Sequence, residues 1–133
     1  MNVSIIPASW QSPLHAALRI IAGLLFLEHG LTKLIHWPAT ESFPAGQDLP
    51  PMMLAAGILE TVGGLLITAG FFTRITAFIL AGMMAVAYFM AHFPHSLFPV
   101  QNGGDAAVLF CFVFLFLAAA GAGPYSVDES RKA

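Results

Sequence analysis

Three ionisable side chains, Glu28, His29 and Lys33, lie in FLEHGLTKLIHW (26–37), a stretch that otherwise has the composition of a membrane helix. A carboxyl, an imidazole and an amine can transfer protons and hydrogen-bond to a ligand. At about 100° per residue, His29 and Lys33 share one helical face, whereas Glu28 points about 100° away from His29. We therefore expect His29 and Lys33 to face the bundle interior. Glu28 needs a different neighbour, either a second flanking helix or a second copy of the chain.

A fourth ionisable residue, Glu60, lies near the middle of PMMLAAGILETVGGLLITAG (51–70), on the face that carries alanine and glycine. Small residues let a neighbouring helix approach closely, so this face is expected to pack against protein. A charge near the bilayer centre costs about 2.5–3.5 kcal/mol. Glu60 must therefore be protonated, wetted by a cavity or paired with a cation, and Lys33 and His29 are its preferred partners.

Tyr88 and His92 continue an i, i+4, i+7, i+11 stripe that begins at Ala81. This spacing places both side chains on the inward face of their helix. Together these groups predict a polar pocket in the outer half of the membrane, formed by His29, Lys33, Glu60, Tyr88 and His92.

The alternative is that these groups form interhelical hydrogen bonds that only specify packing. Such bonds contribute about 0.6 kcal/mol each on average in a membrane. Ionisable groups are an expensive way to obtain that contribution, so we favour a site for the pocket residues. For Glu28 alone we favour an assembly contact.

The elements that position these residues follow from composition. The chain has 133 residues, of which 58% are hydrophobic and 9% charged, with a mean hydropathy of +0.81. Soluble domains carry about a quarter charged residues, so the sequence indicates an integral membrane protein, and its length fits one domain over 1–133. The net charge of −2 argues against a nucleic-acid partner.

Hydropathy predicts four membrane helices, at about 14–35, 52–72, 75–93 and 105–121, separated by segments rich in proline and glycine. The predicted fold is therefore all-α, a polytopic four-helix membrane bundle. No lysine or arginine precedes the first apolar segment and no clean cleavage site follows it, so we expect a retained helix and not a cleaved signal peptide.

Positive residues set the expected orientation. With four spans, one side of the membrane receives Arg19, Arg74, Arg131 and Lys132. The two loops on the other side contain no lysine or arginine. Both termini are therefore predicted to be cytoplasmic and the two longer loops periplasmic, with Trp37 in the interfacial aromatic belt.

Metal and haem sites are disfavoured. His92 and His95 could combine with His36, Glu41 and Asp48, but Pro94 interrupts the helix and no HExxH or cysteine pair accompanies them. Haem b between His29 and His92 is geometrically feasible, although buried histidines more often only form hydrogen bonds.

Cysteine chemistry is limited, because Cys111 is the single cysteine and lies in an apolar segment. Dithiol redox chemistry needs a second cysteine, and a reactive thiolate needs electropositive surroundings. A redox role would therefore use a bound quinone or a partner protein.

The motifs HGLTK, LETVGGLLITAGFFTR, HFPH…QNGGD and GPYSVD occur in that order. With the stretches between them, from about residue 14 to 128, the chain resembles the DoxX family of bacterial membrane proteins. The resemblance implies a four-helix inner-membrane protein with a loose redox link: some relatives resemble the quinone-reducing subunit of a thiosulfate dehydrogenase, and others act beside superoxide-detoxifying or sulfurtransferase partners. It supplies no residue-level mechanism.

We therefore expect a multi-pass protein of the bacterial cell inner membrane that handles a quinone or is the membrane component of an oxidoreductase complex. A quinone site needs an apolar slot open to lipid and a few hydrogen-bond donors. His29 and Glu60 would be proton donors or relays, Lys33 would be the electrostatic partner, and Tyr88 and His92 would be the hydrogen-bond donors. A redox partner protein would supply the electrons. The alternative is a non-enzymatic scaffold or small transporter whose buried charges set packing and homo-oligomerisation. Whether the protein turns over a substrate stays open at this point.

Overall fold

The computed structural model describes residues 3–132, and within them every regular element is helical. The helices are α1 (Gln11–Ile35), α2 (Pro51–Ala69), α3 (Thr73–Ala87), α4 (Pro99–Asn102), α5 (Asp105–Ala120) and α6 (Val127–Ser130). A 3-10 turn, Ala8–Trp10, precedes α1, and a π-helix, Tyr88–His92, continues α3. The predicted all-α class is confirmed.

Among residues 3–132, three helical segments are long and apolar enough to cross a membrane: α1 with its preceding turn, α2, and α3 with its π-helix. The fourth, α5, is apolar but has only 16 residues. Large apolar side chains such as Phe78, Leu109 and Phe112 lie on the surface, each about two-thirds exposed. A water-soluble monomer would not expose so much apolar surface, so the polytopic membrane architecture is confirmed.

The helix ends differ from the hydropathy boundaries where backbone chemistry decides them. α1 begins three residues before the predicted residue 14, because Pro13 is tolerated in a first helical turn. α2 ends at Ala69 and not at 72, because Gly70 adopts a left-handed φ of 68° and its N–H bonds to the carbonyl of Ile67. α3 can therefore begin at Thr73, two residues earlier than predicted.

The closest helix contact is between α1 and α2. A Cβ atom added at Gly30 would lie 2.6 Å from the backbone nitrogen of Thr61, and one at Gly64 would lie 2.6 Å from that of Leu27. Only glycine allows the two backbones to approach this closely. This contact brings Lys33 of α1 against the face of α2 that carries Glu60.

The second tight pair is α3 with α5, and the two pairs meet in an apolar core. Phe26 from the first pair and Phe114 from the second pack edge to face, with ring centroids 4.9 Å apart. Ile67, Leu80 and Leu117 are also almost fully buried there. The core holds the middle of the bundle and leaves its two ends to polar contacts.

The two ends of the bundle differ in the segments that they contain. The loop end contains the end of α1, the start of α2 and the α1–α2 loop, together with the π-helix and α4. The terminal end contains the start of α1, the α2–α3 turn and the segment after α5, where Asp128 bonds to the backbone of Phe72 and Thr73.

Candidate functional site

Lys33 and Glu60 form a buried ion pair at the loop-end half of the α1–α2 contact. Lys33 Nζ donates to Glu60 Oε2 at 2.7 Å, and both side chains are less than 10% exposed. The pairing expected from helical geometry is therefore present in the structure. Burying the pair removes both charges from solvent, and only good geometry with further hydrogen bonds offsets that desolvation.

Two more contacts surround the Lys33 ammonium. Nζ lies 3.4 Å from the carbonyl oxygen of His29, one turn earlier on α1. It also lies 5.1 Å from the ring centroid of Phe43, which the α1–α2 loop brings over it. A cation over an aromatic face is attracted by the ring quadrupole. The ammonium thus has a partner in each of three directions: a carboxylate, a carbonyl and an aromatic ring.

A cleft of about 230 Å³ reaches Lys33 from the surface at this end. We call it the loop-end cleft, and its lining consists of Glu28, His29, Thr32, Lys33, Pro38, Thr40, Ser42 and Phe43. The loop closes one side, since the Thr32 hydroxyl donates to the carbonyl of Pro38 at 3.0 Å. Polar atoms therefore converge on a small opening beside the ion pair.

Glu28 lies in this cleft, although helical geometry separates it from His29 by a wide angle. The α1–α2 loop folds back along α1, with the His36 ring bonded to the carbonyl of Phe43 at 3.2 Å, and so extends the cleft around the helix surface. A straight-helix argument does not contain the loop. The predicted assembly role of Glu28 stays a prediction.

His29 is exposed at the cleft and not enclosed in the bundle. Its Nδ1 lies 2.8 Å from the carbonyl oxygen of Leu25. A carbonyl can only accept, so Nδ1 carries a hydrogen and Nε2 is the ring atom that can take up or release a proton. The ring also meets the edge of Phe110 at a centroid distance of 6.2 Å.

Tyr88 and His92 form a separate cluster with Asn102. The Asn102 amide donates to the Tyr88 hydroxyl at 3.2 Å and to the carbonyl of Ser96 at 2.9 Å. The His92 Nδ1 lies 3.0 Å from the carbonyl oxygen of Asn102. Within residues 3–132 no hydrogen bond joins this cluster to Lys33, Glu60 or His29, so the structure brings together part of the predicted pocket and places the rest beside α4.

Asn102 was not among the predicted residues. It is buried, and its Oδ1 accepts from the backbone N–H of Gly104 at 2.8 Å, which fixes the turn into α5. The signal in the sequence is QNGGD, because asparagine before glycines is typical of a turn stabilised by its own side chain. What the motif does not reveal is the partner, Tyr88, on another helix.

The terminal end is held by Arg19, which the sequence offered only as an orientation signal. Arg19 is fully buried, and its guanidinium donates to the carbonyls of Ala122, Pro124 and Tyr125. The bond to Tyr125 is 2.7 Å long. The segment after α5 is thus drawn over the start of α1, which closes this end of the bundle.

Asp128 completes that closure by capping α3 from the far end of the chain. Its two carboxylate oxygens accept from the N–H groups of Phe72 and Thr73, both at 2.9 Å. Burial alone would raise the pKa of Asp128, but the hydrogen bonds from Thr73 and Phe72 and the charge of Arg131 outweigh it, so the pKa is lowered.

No group of three histidine, cysteine, aspartate or glutamate side chains among residues 3–132 has the geometry to hold a metal ion. His92 and His95, the closest pair of histidines in the sequence, belong to the π-helix and the turn that follows it.

Comparison with known proteins identifies the family. The DoxX family profile matches residues 14–93, which is more than half of the chain. The chain belongs to the DoxX family. The matched region contains the α1–α2 contact, the Lys33–Glu60 pair, the whole of α3 and all the residues that line the loop-end cleft.

Two relatives extend the comparison beyond that region. An uncharacterized protein of Haemophilus influenzae is 40% identical over 117 residues, 86% of this chain and 87% of that protein. The inner membrane protein YqjF of Escherichia coli is 34% identical over 120 residues, 84% of this chain and 86% of that protein. No solved structure matches the chain. With the apolar helices, these matches confirm a multi-pass DoxX-family protein of the bacterial inner membrane.

Proposed function

We propose that the loop-end cleft binds the headgroup of a membrane quinone, and that the protein is the quinone-handling membrane component of an oxidoreductase complex. The observation that supports this is the coincidence of a surface cleft with a buried ion pair. The cleft reaches Lys33, and Glu28 and His29 lie at its opening. Its walls also include the apolar side chains of Pro38 and Phe43.

The size of the cleft favours a ring with its tail outside. Its volume of about 230 Å³ is below the ~300–1,000 Å³ of sites that enclose a complete drug-sized ligand. A quinone headgroup is a small ring with two carbonyl acceptors, and its isoprenoid tail is soluble in the hydrocarbon beside α1. The hydroxyls of Thr40 and Ser42 are potential donors to a carbonyl oxygen.

Protons can be exchanged at the same place. Conversion of a quinone to a quinol adds two electrons and two protons, one proton to each carbonyl oxygen. His29 Nε2 and the Glu28 carboxyl are the exchangeable groups at the opening, and the Lys33 ammonium lies behind them. The two electrons come, in this proposal, from a partner oxidoreductase that carries its own redox cofactor.

The proposed orientation places the loop end in the periplasm. Arg19, Arg74, Arg131 and Lys132 all belong to the terminal end, and Lys33 is the single lysine or arginine toward the loop end. The side with more lysine and arginine is normally cytoplasmic. Alkaline phosphatase is active only when it is exported to the periplasm. A phosphatase fused within the 36–50 loop is therefore expected to be active, and one fused to the C-terminus is expected to be inactive. The reverse pattern would place the cleft in the cytoplasmic half.

The quinone proposal is tested by native mass spectrometry with lipid extraction on protein purified in mild detergent. The wild type should carry a copurifying quinone. Glu60→Gln and His29→Ala should lose at least nine-tenths of it, corresponding to about 1.4 kcal/mol or more of binding free energy. Glutamine keeps an oxygen that accepts from Lys33 but leaves the ammonium charge uncompensated, so Glu60→Gln is expected to fold with lower stability. A thermal melt must show a folded variant before its quinone content is compared with that of the wild type.

Matched controls come from the same chain. Glu41→Gln and His95→Ala change the same residue types at exposed positions outside the cleft lining. Both should keep the wild-type quinone content. If neither wild type nor variants carry quinone, and Glu60→Gln changes the subunit count, the buried pair is structural and the protein is a scaffold.

A further inference from the structure

The terminal end contains a second and larger cavity, of about 1,000 Å³. It lies between the first turns of α1, the start of α3 and the end of α5, where α1 makes few contacts with α5. No residue lines both this cavity and the loop-end cleft. The terminal cavity is therefore separate from the loop-end cleft, and any ligand in it would be a different molecule.

Its walls are amphipathic. The apolar part consists of Leu14, Leu18, Phe72, Ile75 and Phe116. The polar part carries both signs of charge, with Arg74 and Lys132 as cations and Asp128 and Glu129 as anions. An occupant that complements these walls has an apolar part and a headgroup with one negative and one positive charge.

The depth of the cavity matches the headgroup layer of a membrane. α1 has 25 residues and is therefore about 37 Å long, while the hydrocarbon core is about 30 Å thick. Trp10 and Trp37, which flank α1, are 55% and 64% exposed, as expected of aromatic residues at the two interfaces. The first turn of α1 consequently projects beyond the hydrocarbon, while Leu18 reaches into it.

The charged groups have hydrogen-bonding capacity left for a ligand. The Arg74 guanidinium bonds to the carbonyls of Ala118, Ala119 and Ala120, and so uses three of its five N–H donors. Lys132 pairs with Glu129 at 3.3 Å, but their side chains are 73% and 55% exposed, so water or a ligand can replace this contact at little cost.

We propose that the terminal cavity binds a phospholipid with a zwitterionic, primary-amine headgroup, of the phosphatidylethanolamine class. Arg74 and Lys132 hold the phosphate, and Glu129 with Asp128 accepts hydrogen bonds from the ammonium. The acyl chains begin along Leu18, Ile75 and Phe116. The glycerol hydroxyls of phosphatidylglycerol can donate to the two carboxylates but carry no positive charge, and a quaternary ammonium headgroup carries the charge but has no N–H to donate.

The test uses the full chain, freed of lipid by extensive washing in mild detergent and confirmed folded by its thermal melt. Equimolar phosphatidylethanolamine, phosphatidylglycerol and phosphatidylcholine with identical acyl chains are added, and bound lipid is counted by native mass spectrometry. The wild type should retain phosphatidylethanolamine about fivefold over each competitor, which is the range of one or two solvent-exposed charge contacts.

Glu129→Gln should lower the retained amount of phosphatidylethanolamine toward that of phosphatidylcholine, because the ammonium loses a hydrogen-bond acceptor. Lys132→Gln should lower the retained amounts of all three phospholipids, because the phosphate loses its contact with a cation. Both positions are exposed in the C-terminal segment, and Glu41→Gln in the α1–α2 loop is the matched control.

Equal retention of all three lipids by the wild type would overturn the proposal, and so would a preference for phosphatidylethanolamine that neither variant changes.

Discussion

The two ends of the bundle each bury one cation but hold it in different ways. At the loop end, Lys33 is paired with the carboxylate of Glu60 and lies behind a cleft. At the terminal end, Arg19 is fully buried and donates only to backbone carbonyls of the segment 122–125. One cation therefore has a partner that can change its protonation state, and the other has partners that cannot.

The two kinds of partner give the two buried cations different roles. The carbonyl oxygens around Arg19 are fixed by the chain turn that they belong to, and arginine stays charged under all ordinary conditions. The guanidinium thus acts as a permanent clamp. The Lys33–Glu60 pair combines two ionisable side chains, at the end where His29 is also exposed. One end of the bundle therefore holds its buried cation on backbone carbonyls, and the other holds it on an ionisable side chain beside the loop-end cleft.

The largest expected effect tests whether Lys33 and Glu60 act as a unit. Lys33→Met leaves the Glu60 carboxyl buried without its cation and should lower the free energy of unfolding by about 3–5 kcal/mol. Adding Glu60→Met to the same chain should restore stability to within about 1 kcal/mol of the wild type. Denaturation in detergent followed by circular dichroism gives the double-mutant cycle. Losses that simply add would show that the two groups are not coupled.

The next effect sharpens the contrast at the terminal end. Arg19→Lys keeps the positive charge, but the compact lysine ammonium cannot contact the three carbonyls that the planar guanidinium spans. At least one charge-assisted hydrogen bond is lost, and stability should fall by about 2–4 kcal/mol. The comparison substitution is Arg131→Lys, at an exposed arginine, which should change stability by no more than about 0.5 kcal/mol. Wild-type stability in Arg19→Lys would mean that charge alone holds the clamp.

A smaller effect tests whether close approach of α1 and α2 is what keeps the ion pair together. Gly30→Ala places a methyl group against the backbone of Thr61 and should cost about 1–3 kcal/mol. Gly82→Ala on α3 is the matched change, since a Cβ there meets nothing within 4 Å. It should be neutral or stabilise the protein by up to about 1 kcal/mol. The idea fails if the two alanine variants melt at the same temperature.

The smallest effect concerns Asp128, and its size depends on pH. Asp128→Asn removes one of two backbone hydrogen bonds at the start of α3 and should cost about 0.5–2 kcal/mol at neutral pH. The folded-state pKa of Asp128 is lowered, so its contribution is present above the unfolded pKa of about 3.9 and is lost as the pH falls through the folded value. Melting curves of wild type and variant should therefore converge in acid. A gap that is constant from neutral to acidic pH would contradict this assignment.

Sequence reasoning reached the features that depend on helical geometry. The Lys33–Glu60 contact follows from the spacing on two helices and from the cost of burying either charge alone. The spans follow from hydropathy. In contrast, the loop-end cleft depends on how the 36–50 loop folds back over α1, and no local pattern in that loop fixes its path.

The residues that sequence reasoning missed have partners far along the chain. Asp128 caps a helix that begins 55 residues earlier, and Asn102 contacts Tyr88 across 14 residues. Both are residue types that favour turns and caps. A turn or cap role could therefore be predicted from the sequence, but the residues that they bond to could not. The π-helix at Tyr88–His92 adds to this, because its wider turn changes the direction of side chains that a regular α-helix would align.

The unequal helix lengths have a consequence for the surrounding lipid. α5 has 16 residues and spans about 24 Å, some 6 Å less than the average hydrocarbon core, whereas α1 exceeds that core. Lipids on the two sides of the protein therefore meet apolar walls of different height, and the bilayer must thin beside α5 or the helices must tilt. Each ångström of mismatch costs only a fraction of a kcal/mol. Because α3 and α5 pack as a pair, the mismatch free energy summed over the full length difference is borne by both helices. Acyl-chain length thereby becomes a physical variable that sets the tilt of half the bundle.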